Sequence, residues 1–213
     1  QVYGARAQIS TALGLAQHQV QVITQFMGGG FGAKFGAHKS GLLAAYAAFT
    51  LGRPVHYLLT RTEENLDAGN RPASFQRYRL GAMRDGTLTA IELRATSNVG
   101  ALGSWFSPIS LPAKELYQCD AVRTVDIPAR TNLGTQASFR APGVVEGIAA
   151  LEVAIDRLAF MLGIDPLALR LKNYAERYQL LDRPYAVKTL RRAYELGAER
   201  IGWATRDDPH RRF

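Results

Sequence analysis

The chain has 213 residues, 47% hydrophobic and 21% charged, enough for one sizeable globular domain or two small ones. No apolar run approaches a membrane span, no basic-then-apolar leader opens the chain, and the single Cys119 excludes an internal disulfide or a cysteine-held cluster. The net charge of +8 comes from scattered residues, with basic pairs only at Arg191-Arg192 and Arg211-Arg212, a pattern that argues against nucleic acid and fits an anionic cofactor or an acidic partner as well as a solvated face.

Residues 3 to 17 place Ile9, Leu13 and Ala16 at helical spacing and predict a helix. Residues 19 to 26 alternate, with Val20, Val22, Thr24 and Phe26 on one face, and predict a strand. Residues 37 to 51 predict a buried helix stopped by Gly52 and Pro54, and 55 to 60 another strand, so the first 60 residues carry a βαβ rhythm. Two alternating runs, 76 to 83 and 87 to 97, flank Asp85-Gly86 as a hairpin would. Residues 98 to 121, rich in Gly, Ser and Pro and carrying Trp105 and Phe106, read as a long functional loop or lid, with a strand near 124 to 131. Ile148, Leu151, Ile155, Leu158 and Leu162 form an apolar stripe down a helix over 144 to 162, capped by Gly163. Asp165-Pro166 opens a further helix to about Arg177, and the charged last 30 residues favour helix to about Ile201. The fold class expected is α+β: a mixed sheet, a hairpin and packed helices.

The most unusual stretch is Gly28-Gly-Gly-Phe-Gly-Ala-Lys34. Glycine loses more backbone entropy on folding than any other residue, so such a run implies positive φ angles or close approach to a ligand. Phe35 stands where a phosphate-binding P-loop needs Ser or Thr, and Gly28, Gly30 and Ala33 fit a dinucleotide fingerprint only loosely, with no acidic residue near position 53. On spacing alone a structural turn and a cofactor contact stand equally open. His18, His38, His56 and His210 show no metal-ligand spacing, and neither Glu63-Glu64 nor Asp207-Asp208 looks like a poised acid–base pair; Glu63-Glu64 suits the start of a short helix. Gln136-Ala-Ser-Phe-Arg-Ala-Pro-Gly143 sets Arg140 at the mouth of the long helix, where an anion would be welcome, although an arginine there also serves to hold a neighbouring carboxylate or carbonyl.

Four segments in register resemble the molybdopterin-binding large subunit of the xanthine oxidase/aldehyde oxidase family. They are Gly28 to Lys34; Gly52-Arg-Pro-Val55 with Arg61-Thr-Glu-Glu64; Thr131-Asn-Leu133 through Phe139-Arg-Ala-Pro-Gly143; and Gly163-Ile-Asp-Pro166 with Arg170-Leu-Lys-Asn173. The match runs from Gln1 to about Tyr174, leaving 175 to 213 as a polar, helical extension, so that residues 1 to 213 read as one incomplete molybdopterin-binding domain. The resemblance implies a hydroxylase that oxidises aldehydes or N-heterocycles with water as the oxygen source. It implies a molybdenum–molybdopterin cofactor, plain or as the cytosine dinucleotide, and iron–sulfur and FAD partner subunits or domains. Gln1, Gly29, Gly30, Phe31, Gly32 and Arg140 are then expected around the cofactor, with no side chain ligating the metal directly.

Phe35, Phe139 and Pro142 are expected to line the substrate pocket. Phe35 replaces a glutamate, and Pro142 a phenylalanine, of purine-oxidising relatives, and the Arg-Ala-Pro-Gly form is similar to bacterial aldehyde-oxidising members. The glutamate base of the family lies downstream of the matched segment, so no catalytic residue is expected here, and the 213-residue chain alone is expected to be inactive. A cytoplasmic location is expected, or a periplasmic one through a partner subunit. The rival reading is a non-catalytic basic α+β module that binds a partner subunit or nucleic acid.

Overall fold

In the computed structural model, residues 1–103 and 106–206 are described; Trp105, Asp207, Asp208, His210 and the Arg211-Arg212 pair lie outside them. The chain divides into two compact units. The first comprises Gln1–Ala73, Asn98–Phe106 and Ala129–Pro142; the second comprises Ser74–Ser97, Ser107–Pro128 and Gly143 onward.

The first unit is built on three helices. Helix α1, Val2–Leu13, follows the strong helix preference of its alanines and stops where Gly14 turns to φ 66°. It is therefore shorter than the predicted 3 to 17, and a 3-10 turn, Gln17–Gln19, takes up the rest. Helix α2, His38–Leu51, ends at Gly52 with φ 61°, within a residue of expectation. It is not the buried helix its composition implied, since Leu43, Tyr46, Phe49 and Leu51 are all more than half exposed. Helix α3, Arg61–Asp67, starts with a capping box: the Thr60 hydroxyl accepts from the Glu63 N–H and the Glu63 carboxylate accepts from the Thr60 N–H at 2.7 Å. The predicted strands at 19 to 26 and 55 to 60 do not form, so the βαβ rhythm is not realised. Val20 is extended, at φ −117° and ψ 121°, but extended backbone becomes a strand only when a neighbouring edge takes its N–H and C=O groups.

The second unit carries the sheet. Strands β1, Ser74–Ala82, and β2, Leu88–Asn98, pair antiparallel with Gln76 opposite Ala95 and Leu80 opposite Ile91. Their turn uses Gly86 at φ 88°, and the Asp85 carboxylate accepts the Thr87 N–H at 3.0 Å. The expected long loop is interrupted by a one-turn helix, α4, Leu111–Glu115, whose Ala113 is fully buried. Strand β3, Val122–Ala129, follows, two residues earlier than predicted. The Ile91 N–H donates to Ala121 and the Val99 N–H to Ala129, so both strands advance together and β3 lies parallel to β2, which makes the sheet mixed.

Helix α5, Val144–Leu162, lies over the sheet and buries Leu151, Ile155 and Ala159 against Leu88, Ile91 and Leu93. Gly147 sits so close to the 107–110 turn that an added Cβ would come within 2.2 Å of the Ile109 carbonyl oxygen. Helix α6, Pro166–Lys172, is capped by Asp165, whose carboxylate accepts the Leu167 and Ala168 N–H groups. It stops five residues short of Arg177 because the buried Asn173 side chain donates to the Gly86 carbonyl and accepts the Leu88 N–H at 2.8 Å, which ties the helix end to the hairpin. Arg170 joins α6 to α5 through Glu152 at 2.7 Å and Asp156 at 2.6 Å. A short hairpin, β4 Arg177–Tyr178 with β5 Arg183–Pro184, precedes α7, Leu190–Arg200, which ends about where predicted. Cys119 is buried, and burial pushes its thiol pKa up. Among the described residues no helix is long and apolar enough to cross a membrane.

Candidate functional site

Two loops of the first unit carry the predicted site: the glycine loop before α2 and the stretch after β3 that ends at Pro142. They are stitched together main chain to main chain. The Arg140 N–H donates to the Phe31 carbonyl at 2.7 Å, and the Ser138 hydroxyl donates to the Gly32 carbonyl at 2.7 Å. Gly32 adopts φ 93°, and a Cβ there would lie 3.1 Å from the Ser138 carbonyl oxygen and 3.3 Å from the Phe139 Cα. This glycine is needed for both its dihedral angle and the closeness of the second loop.

Backbone strain concentrates at the junction. Phe31 has φ 48° and Ala141 has φ 55°, left-handed values that a side-chain-bearing residue adopts only when its surroundings impose them. Gly29, at φ 134°, lets the Phe31 ring fold back over the loop; a Cβ on it would come within 2.5 Å of that ring. Gly28 and Gly30 are different. Neither has a positive φ, and an added Cβ would meet nothing within 4 Å at Gly28 and only the Lys34 side chain, Cβ at 3.5 Å and Cγ at 3.9 Å, at Gly30. The fold itself gives no reason for these two glycines.

Gln1 is also brought to the glycine loop. Its nitrogen donates to the Lys34 carbonyl at 2.6 Å, and it lines a cleft of about 470 Å³ with Thr24, Phe26, Gly28, Gly29 and Lys34. Phe35 lies on the α1 side, where its carbonyl packs so tightly on Gly4 that a Cβ there would come within 2.6 Å. The bonds that join the loops thus come from Phe31, Gly32, Ser138 and Arg140, while Phe35 is held against α1. Phe31, Phe35 and Phe139 are 58%, 55% and 49% exposed, so their rings are open to further contacts. A larger cleft of about 790 Å³, lined by α1, α2, α3 and residues 134–137 and crossed by the Lys39–Asp67 ion pair, contains none of the predicted site residues.

Three supporting residues escaped the sequence reading. The Arg71 guanidinium donates to the Arg140 carbonyl at 2.7 Å and lies 5.0 Å from the Phe139 ring centroid. Ser138 bridges the loops as described. The Asn98 side chain accepts from the Gly100 N–H at 2.7 Å and the Thr131 hydroxyl at 2.6 Å, fixing the start of the second loop. No local pattern marks such residues, because each has a partner far away in sequence: Arg71 and Ser138 bond distant backbone, and Asn98 the Thr131 hydroxyl.

Among the described residues no three His, Cys, Asp or Glu side chains gather as a metal-binding set, and the Arg140 guanidinium has no ion-pair partner. The two loops between them offer open main chain at Gly28 and Gly30, half-exposed aromatic rings and an arginine with no ion-pair partner among the described residues. That donor set suits a group that brings its own metal ligands and is packed by the protein.

Residues 1–174 match the molybdopterin cofactor-binding domain family, and the chain belongs to it, in the line of xanthine oxidase- and aldehyde oxidase-type large subunits. It is 33% identical over 208 residues to the aldehyde oxidoreductase molybdenum-binding subunit PaoC of Escherichia coli, covering 95% of this chain and 28% of that protein. Its fold is similar to the aldehyde oxidoreductase of Desulfovibrio gigas, with a TM-score of 0.85 at 27% identity, covering 95% of this chain and 23% of that one. Quinoline 2-oxidoreductase of Pseudomonas putida 86 follows at a TM-score of 0.80 and 26% identity, with coverages of 94% and 27%. The chain therefore spans about a quarter of the length of the proteins it matches.

Proposed function

We propose that this chain forms one wall of a molybdenum–molybdopterin pocket in a hydroxylase that oxidises aldehydes or N-heterocycles, with water as the oxygen source. The observation that carries the reading is the bond from the Arg140 N–H to the Phe31 carbonyl, which joins the two loops that the sequence singled out separately. The bound cofactor would supply two-electron oxidation of the substrate carbon, and iron–sulfur and FAD partners would take the electrons onward.

The residues of the chain bind, orient and exclude water. Gly28 and Gly30 leave the main chain bare, so that a bulky group can lie directly on the loop. The Phe31 ring folds over Gly29 and would keep water from the reacting centre, which strengthens every electrostatic interaction there. The Arg140 guanidinium, which has no ion-pair partner among the described residues, would hold an anionic part of the cofactor or a developing negative charge on substrate. Gln1 would add an amide from the adjoining cleft.

Phe35, Phe139 and Pro142 would give the substrate an apolar surface with no carboxylate to grip a purine, which favours neutral aldehydes. The names of the similar proteins, an aldehyde oxidoreductase and a quinoline oxidoreductase, support the wider class of aldehydes and N-heterocycles. The test is metal analysis and substrate profiling of the full-length parent. Stoichiometric molybdenum and faster turnover of aromatic aldehydes than of xanthine are expected. Salt-dependent DNA binding without molybdenum would instead establish the non-catalytic module.

A further inference from the structure

Residues 69 to 71 run along the second loop as a brace. Gly69, at φ 81°, lies so close that a Cβ on it would come within 2.6 Å of the Ala137 Cβ, and the Asn70 carbonyl accepts the Ala137 N–H at 3.1 Å. At the end of this brace the Arg71 guanidinium reaches the Arg140 carbonyl at 2.7 Å and approaches the Ala141 carbonyl at 3.5 Å, with the Phe139 ring 5.0 Å away. Successive carbonyls point to opposite sides of an extended chain. At Ala141 the left-handed φ of 55° turns them the same way, and one planar fork then faces both.

We propose that Arg71 is a positioning residue: by holding the carbonyls of Arg140 and Ala141 it stabilises the left-handed turn that keeps the Arg140 N–H on Phe31 and aims Arg140 at the pocket. What the turn serves rests on the molybdenum reading; that Arg71 holds it does not. Lysine cannot replace it fully, because an ammonium offers a point charge and lacks both the planar fork and the face that lies over Phe139.

Hydrogen exchange on the full-length protein tests the proposal, comparing Arg71→Ala, Arg71→Gln and Arg71→Lys. The expected result is that the Arg140 amide exchanges about tenfold faster or more in the alanine and glutamine variants, about threefold faster in the lysine variant, and that α5 amides keep their protection. In the same variants of the molybdenum-loaded enzyme, metal content should be retained while kcat falls about tenfold and KM stays within about threefold. Unchanged exchange at Arg140 in Arg71→Ala overturns the proposal, as does an equal rise across α5, which would mean general loosening. Should the parent hold no molybdenum, the functional reading fails and the exchange result still decides the role of Arg71.

Discussion

The glycine loop makes a prediction that separates glycines required by the fold from glycines required by a ligand. In Gly32→Ala the new Cβ must sit at φ 93°, a conformation that costs an L-residue about 1–2 kcal/mol. It also meets Ser138 and Phe139 backbone at 3.1–3.3 Å, which pushes the loops apart and weakens the Ser138-to-Gly32 hydrogen bond, worth about 1 kcal/mol. The sum, about 2–3 kcal/mol, is local to the junction. At about 1.4 kcal/mol per factor of ten, amides whose protection depends on the junction should exchange roughly 30- to 140-fold faster by mass spectrometry. Gly28→Ala, with open space at its Cβ and no positive φ, should change stability by no more than about 0.5 kcal/mol. If the proposed cofactor lies on the loop, Gly28→Ala should nevertheless lower the molybdenum content of the parent. Equal protection in the two variants, or a disruptive Gly28→Ala in the metal-free chain, would refute the reasoning.

Replacing Phe35 by glutamate puts a carboxylate on the proposed substrate wall; the ratio of kcat/KM for benzaldehyde to that for xanthine should fall about tenfold or more, or Phe35 does not face substrate. Arg170→Ala removes a side chain only 11% exposed and leaves the Glu152 and Asp156 carboxylates without their cation; it should lower the urea-unfolding free energy by about 3 kcal/mol, the low end for a broken buried pair because both carboxylates keep some solvent and Glu152 still accepts the Tyr117 hydroxyl. Asp85 has its pKa lowered to about 2, first by the Thr87 N–H and then by other bonds that include Lys172. A depressed folded pKa stabilises above the unfolded value near ~3.9 and loses that contribution as pH falls toward 2. Asp85→Asn should therefore flatten the acid limb of the urea midpoint between pH 4 and 2; an unaltered limb would remove Asp85 from the account.

The sequence conveyed the fold unevenly, for physical reasons. Helix α5 was legible to the residue, because its apolar stripe and Gly163 are local signals that agree. The hairpin was legible because Asp85-Gly86 suits only a tight turn. Helix α2 was placed but wrongly buried: apolar composition says that a face seeks cover, not that a given set of residues provides it. The runs at 19 to 26 and 55 to 60 carry a strand's alternation, yet alternation fixes only which face a strand would show, and pairing needs an edge that local sequence cannot supply. Helix α6 ended early because Asn173 binds a turn 85 residues upstream. At the site, glycines and a lone arginine were conspicuous by type. Arg71 was not, since nothing near it in sequence signals two carbonyls on a distant loop.

The junction of Phe31 with Arg140 also sets an order of events in the making of the protein. The left-handed φ at Phe31 is disfavoured until its carbonyl is taken by an amide that lies, like the Ser138 hydroxyl bonded to Gly32, more than a hundred residues later in the chain. At about 5–20 residues per second, a ribosome delivers that partner some ~5–20 s after the glycine loop is made. During that interval the loop has no reason to hold its shape. A site that needs both loops is thus complete only after the second has emerged, and a cofactor that requires it is expected to enter late, into an assembled cradle.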